Sequence, residues 1–184
     1  MKFRHSILAV IVALVSTIAL TAPAAHARAP YCGITWGSLA KASDSSNVAS
    51  LTNVRAGRHA CFDRLVLDYA GDAGGYQVRY VTQIRGLGLD APVDLRGGAL
   101  VEIVVQTPYG EDEPSVSATY SPRNPGELVD VAGWRTFGQV SLVEVHESQL
   151  TVGLGVRARL PFRVFTLDGP GHGSRLVIDV AHRW

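Results

Sequence analysis

Four of the six histidines, two cysteines and a scatter of carboxylates and arginines are the residues of this chain that could do chemistry. His59, His146, His172 and His182 never pair at i, i+2 or i, i+4, and no H-E-x-x-H is present. A metal site read from spacing alone is therefore not expected. There is no G-x-S-x-G elbow and no S-x-x-K for nucleophilic hydrolysis. Gly171-His172-Gly173-Ser174 sets a His and a Ser two apart, but in a glycine-rich stretch that reads as a turn between two strands. Gly153-Leu154-Gly155 lacks the strand–turn–helix context of a dinucleotide site and reads as small residues within a strand. Asp63, Asp68, Glu102, Glu144 and Asp179 could supply a glycosidase pair, yet nothing in their spacing selects two of them. No catalytic residue, metal or cofactor is expected. A hydrolase assembled from scattered Asp, His and Ser is the reading that a concave cluster of such groups would revive.

The stronger bias lies in the cations. Past residue 27 the chain holds 14 Arg and one Lys, Lys41. Arginine forms paired hydrogen bonds with carboxylates and stacks on aromatic rings. Arg157, Arg159 and Arg163 fall close together, the first two on one expected strand face, and could cradle an anionic polymer or a peptide carboxylate. The alternative is that they pair with Glu144 or Glu147 on a neighbouring strand. Trp36, Trp134 and Trp184 could stack on sugar rings, although Trp134 at the start of a strand suits a core. Tyr109 and Tyr120, flanking an acidic loop, are the candidates for exposed ligand contacts.

The leader frames these residues. Lys2, Arg4 and His5 precede an apolar run at 7–22, and Ala25-His26-Ala27 supplies an A-x-A site, which together predict a secretory signal peptide over 1–27. Its removal leaves 157 residues, enough for one domain with its own core. It also leaves 15 basic residues against 16 acidic, a net charge of −1 that argues against nucleic acid. No later apolar run is long enough to span a membrane. An exported location also suits Cys32 and Cys61, read as one structural disulfide. That bridge closes a loop of about 30 residues, worth roughly 3.5 kcal/mol in the chain-entropy model. It would tie an N-terminal arm over 28–50 to a domain over 51–184. The expected state is a monomer.

The elements that must position these groups are strands. Val152, Leu154, Val156, Ala158 and Leu160 alternate with polar or small residues, which predicts a strand over 151–160 with one buried face. Val101, Ile103 and Val105 alternate likewise, as do Leu176, Ile178 and Val180. Further β-branched or aromatic runs cover 62–69, 76–84, 134–146 and 162–167. Glycine-rich turns at 71–75, 86–88, 97–98 and 169–173 separate them. The expected fold is all-β, a β-sandwich with at most one short helix. That helix is predicted at 124–133, from Asn124 as cap, Pro125 at the first position, Glu127 three past the cap and Gly133 as stop. The preceding stretch, 109–122, reads as a long exposed loop.

Two segments carry a family resemblance. Residues 54–68 (VRAGRHACFDRLVLD) resemble the opening of AMIN-type domains, where R-x-G-x-H leads into a D-R-V-D-type strand. Residues 160–167 (LPFRVFTL) and 174–180 (SRLVIDV) resemble the closing strands of that domain. With 34–38 (ITWGS) and 133–137 (GWRTF), the chain is similar to AMIN-like domain proteins of actinobacteria over about 31–184. The resemblance implies an AMIN/immunoglobulin-like β-sandwich without catalytic residues. AMIN domains proper sit beside cell-wall amidases or secretin components, with peptidoglycan as the proposed ligand, and neither kind of domain is visible in this sequence. The expectation is a secreted non-enzymatic module that binds peptidoglycan or another wall polymer. The alternative is a protein-interaction module that pairs a sheet edge with an envelope enzyme.

Overall fold

The computed structural model describes residues 29–86, 92–108, 120–146 and 148–184. The expected leader over 1–27, Glu147, Tyr109 and most of the 109–122 loop lie outside the described residues. Nine strands follow a single 3-10 turn at Tyr31–Gly33: β1 (Lys41–Ser43), β2 (Leu51–Arg58), β3 (Phe62–Tyr69), β4 (Tyr76–Val81), β5 (Ala99–Gln106), β6 (Phe137–His146), β7 (Gln149–Val156), β8 (Phe162–Asp168) and β9 (Ser174–Ala181). They form a five-stranded sheet of order β1-β4-β5-β7-β6 and a four-stranded sheet of order β2-β3-β9-β8, all pairs antiparallel.

Alternation puts one face of each strand in the core. Leu65, Leu67 and Tyr69 of β3 and Leu176, Ile178 and Val180 of β9 face Val101, Ile103 and Val105 of β5 and Val152, Leu154 and Val156 of β7 in one apolar cluster. Phe162 joins it from β8 and Phe137 and Val140 from β6. The fold is an all-β sandwich, as its periodicity predicts.

Several local expectations are corrected. The strand expected at 151–160 starts at Gln149 and ends at Val156, so Arg157 and Arg159 sit in a bend and not on a strand face. Nor does β7 keep a polar outer face. Ile84 and Val93 form an isolated bridge, and this segment lies over Gly153 and Gly155, where an added Cβ would come within 2.6 Å of Leu95 or onto the Arg96 carbonyl oxygen. Similarly, the run expected at 76–84 is strand only to Val81 and that at 134–146 only from Phe137.

No helix forms at 124–133. The Asn124 side chain accepts from the Gly126 amide and its carbonyl from the Glu127 amide, so the capping residues close a turn. The next groups then pair elsewhere: the Leu128 amide donates to Val140 O, and the Pro125 carbonyl accepts from Leu142 N. Backbone groups spent on the edge of β6 are not available to an i→i−4 ladder.

Candidate functional site

Of the five residues named from the sequence, Tyr109 lies outside the described residues, and the other four are not brought together. Arg157 donates through Nε to Arg135 O (3.2 Å) and through Nη2 to His182 O. Arg159 donates to Ser38 Oγ and Ser38 O at 3.2 and 3.1 Å and lies over the Tyr80 ring. Both therefore tie backbone segments together, and neither shares a partner with Arg163. Tyr120 is half-buried against the core, where desolvation raises the phenol's pKa.

Arg163 is different. It belongs to β8, whose register places it across from Asp179 of β9, which in turn lies across from Arg64 of β3. These three side chains form a row on the outer face of the four-stranded sheet. Arg64 grips the carboxylate with Nε to Oδ1 at 2.6 Å and Nη2 to Oδ2 at 2.8 Å. Arg163 adds Nε to Oδ2 at 2.9 Å and Nη2 to Oδ2 at 2.8 Å. Asp179 is wholly buried beneath the two arginines, whose side chains stay 25 and 41% exposed. The hydrogen bond to Asp179 outweighs desolvation and raises the Arg64 pKa. One carboxylate between two guanidinium groups leaves a surplus positive charge at the surface.

Aromatic rings frame that charge. The Arg163 guanidinium stands 4.4 Å from the Trp36 ring centroid, 4.9 Å from Phe165 and 5.7 Å from Phe62. Arg64 lies 5.3 and 5.5 Å from Phe62 and Phe165. Trp36 meets Phe62 edge-on at 5.6 Å, and His59 stacks on the other side of Phe62 at 4.5 Å. Trp36 is brought here by the N-terminal arm, which the Cys32–Cys61 bond fixes at the start of β3 with a Cα–Cα separation of 6.2 Å. The expected disulfide is thus present, and it helps to build one wall of the patch.

Several of the other chemistry-bearing groups are tied up one by one. Asp68 is paired with Arg55 and Glu102 with Arg79, each at 2.8 Å. Asp63 is buried, accepting from the Thr136 and Phe137 amides at 2.8 and 3.2 Å and facing His182 Nε2 at 3.2 Å. It holds β3 to the start of β6. Ser174 donates to Gly71 O and accepts from Ala73 N, so the 171–174 stretch is a tied turn, with His172 exposed. Among the described residues no group of His, Cys, Asp or Glu could hold a metal ion, and no helix is long and apolar enough to cross a membrane.

The family model that describes the AMIN-like domain matches residues 49–182. This chain belongs to the AMIN-like family. The matched segment contains every strand from β2 to β9 and so holds Arg64, Arg163 and Asp179, while Trp36 lies on the arm before it. No curated protein matches the chain at significant similarity. A β-sandwich of this family supports a role in binding the cell envelope in general terms.

The residues that sequence reading passed over are Arg64, Phe62 and Phe165, while Asp179 was named only among five carboxylates for a glycosidase pair. Their signal was present: a charged residue at Arg64 in FDRLVLDY and at Asp179 in SRLVIDVA, each on the side of its strand opposite the core-facing leucines. Only the register of β3, β9 and β8 reveals that they are neighbours.

Proposed function

We propose that the chain is a secreted, non-enzymatic cell-envelope binding module that contacts peptidoglycan or another wall polymer. In this reading residues 1–27 are a removable leader, 28–50 an arm and 51–184 the binding domain. The observation that carries it is the Arg64–Asp179–Arg163 row framed by Trp36, Phe62 and Phe165. A flat sheet face suits an extended polymer. Free donors of the two guanidinium groups can take carboxylates of the wall, and the rings can stack on sugars.

Arg163 is the member of the sequence-derived set that this face carries. Arg157 and Arg159 are committed to backbone carbonyls and Ser38, so they serve as controls. The test is co-sedimentation of the mature protein with purified sacculi at low and high salt. Wild type is expected in the pellet at low salt, Arg163→Glu mostly in the supernatant, and Arg157→Ala/Arg159→Ala bound like wild type. Wild-type protein that stays in the supernatant at low salt sinks the proposal.

A further inference from the structure

A second surface lies beside that face, on the free edge of β8. Strand edges offer rows of unpaired N–H and C=O groups, and folded proteins blunt them. The five-stranded sheet does so at both ends: β1 is three residues long, and the edge of β6 is covered by the Leu128 and Pro125 backbone bonds. β2 is bent by a bulge between Leu51 and Asn53 and carries Arg55 and Arg58.

β8 is blunted only at its start. The Phe162 amide points away from β9 and donates to Gly37 O of the arm at 3.0 Å. An antiparallel ladder alternates by two, so Val164 and Thr166 turn their N–H and C=O groups the same way as Phe162. No described residue pairs with those groups. No proline or lysine interrupts FRVFTLD, and Leu167 is among the few large apolar side chains that are exposed.

We propose that the β8 edge from Val164 to Leu167 docks an extended segment of a partner protein by strand addition, with alternate apolar residues and an acidic residue across from Arg163. Main-chain bonds to Val164 and Thr166 supply affinity, and side chains on the outer face supply choice. On that face a docked strand meets Leu167, Phe165 and Arg163 in turn. The first two are apolar; the third carries the surplus positive charge left by sharing Asp179 with Arg64. A carboxylate at the matching position completes the pairing. A second copy of this chain fits less well. Pairing β8 with itself in antiparallel register sets Phe165 against Phe165 and Arg163 against Leu167, which leaves both arginines unmatched. The docking edge does not depend on wall binding.

The probe is the synthetic peptide acetyl-Thr-Val-Thr-Val-Thr-Glu-Thr-amide, titrated into 15N-labelled mature protein. In antiparallel register its Glu falls opposite Arg163. The amide signals of Val164 and Thr166 are expected to shift and to gain protection from exchange. A peptide with Lys for Glu is expected to bind about tenfold more weakly, and a peptide N-methylated at alternate residues not at all. Thr166→Pro removes one outward donor without touching the ladder to β9, and is expected to abolish the shifts while sacculus binding is retained. Thr166→Ala, which keeps that donor, should bind like wild type. Absence of shifts at Val164 and Thr166 with the Glu peptide overturns the proposal. So does equal affinity for the Lys peptide. Concentration-dependent dimerisation that protects the same two amides without peptide overturns it in favour of a second copy. The N-methylated peptide decides the matter if Thr166→Pro fails to fold.

Discussion

The guanidinium of Arg163 lies 4.4 Å from the ring centroid of Trp36, so a residue of the N-terminal arm closes one side of a cluster built by three strands. Ahead of β1, which pairs with β4, the arm is held by Gly37 O, which accepts from Phe162 N, by Ser38, which meets Arg159, by the Tyr31 hydroxyl, which donates to Ala60 O, and by the Cys32–Cys61 bond.

Removing that tie should therefore loosen the arm without erasing the sandwich. Cys32→Ser/Cys61→Ser is expected to lower stability by roughly 3.5 kcal/mol, the closure entropy of a loop whose ends lie 29 positions apart. Urea unfolding would measure the loss. Trp36 fluorescence should shift to the red in the folded variant, and sacculus binding should weaken because one ring of the patch is no longer held. An unchanged Trp36 environment would mean that the non-covalent contacts of the arm hold it without the disulfide.

Asp179 poses an electrostatic question. It is wholly buried, and two guanidinium groups converge on it. Asp179→Ala would leave Arg64 and Arg163 facing each other across an empty site. Breaking a buried ion pair costs about 3–5 kcal/mol, and the partial exposure of both arginines lowers the expected loss here to about 2–4 kcal/mol. Asp179→Leu combined with Arg64→Met and Arg163→Met should recover most of that stability, because no charge is left uncompensated. It should not recover binding to sacculi. Equilibrium unfolding in urea and co-sedimentation separate the two effects.

How far the fold could be read from the sequence follows from which interactions are local. β3 and β9 were legible nearly to the residue, because Leu65, Leu67, Leu176 and Ile178 repeat with a period of two. The binding patch was not. Arg163 stood out by composition, whereas its partner Asp179 lies 16 positions away, and Arg64, which shares that carboxylate, lies 115 positions from Asp179. No window of sequence shows such a neighbourhood. Arg157 and Arg159 misled for a related reason: an apparent continuation of the β7 alternation hid a bend after Val156. The 124–133 segment had every helix signal at its start, yet the edge of β6 competed for its backbone groups and won. Tertiary pairing overrides local preference most easily where the local element is only two turns long.

Gly155 tests the unexpected cover over β7. A Cβ there would sit inside the contact distance of the Arg96 carbonyl oxygen, a backbone atom that cannot swing aside. Gly155→Ala should therefore push the 93–96 segment off the sheet and cost about 1–3 kcal/mol. Gly57→Ala is the matched control, since its nearest neighbour would be the His59 side chain at 3.8 Å. It should change stability by no more than about 0.5 kcal/mol. Thermal or urea unfolding of the two variants distinguishes a covered outer face from the polar, solvated one that the alternation of Thr151, Gly153 and Gly155 suggests.

Burial of Tyr69 makes the stability of the fold fall with pH on the alkaline side. The residue ends β3 in the core at 4% exposure, and desolvation raises its pKa above the ordinary value of 10.0. The folded chain therefore keeps this proton at a pH where the unfolded chain has lost it. Stability from this group is fully present below about pH 10 and falls as pH rises beyond that, by up to about 1.4 kcal/mol per pH unit. Tyr76, Tyr80 and Tyr120 are shifted in the same direction by partial burial. Lys41, lowered by desolvation, works against them. Tyr69→Phe isolates the one contribution: its stability should match wild type within about 1 kcal/mol at pH 8 and fall less steeply between pH 10 and 11.5. Urea unfolding at half-unit pH steps measures both slopes. Parallel slopes would mean that the Tyr69 hydroxyl reaches water in the folded chain.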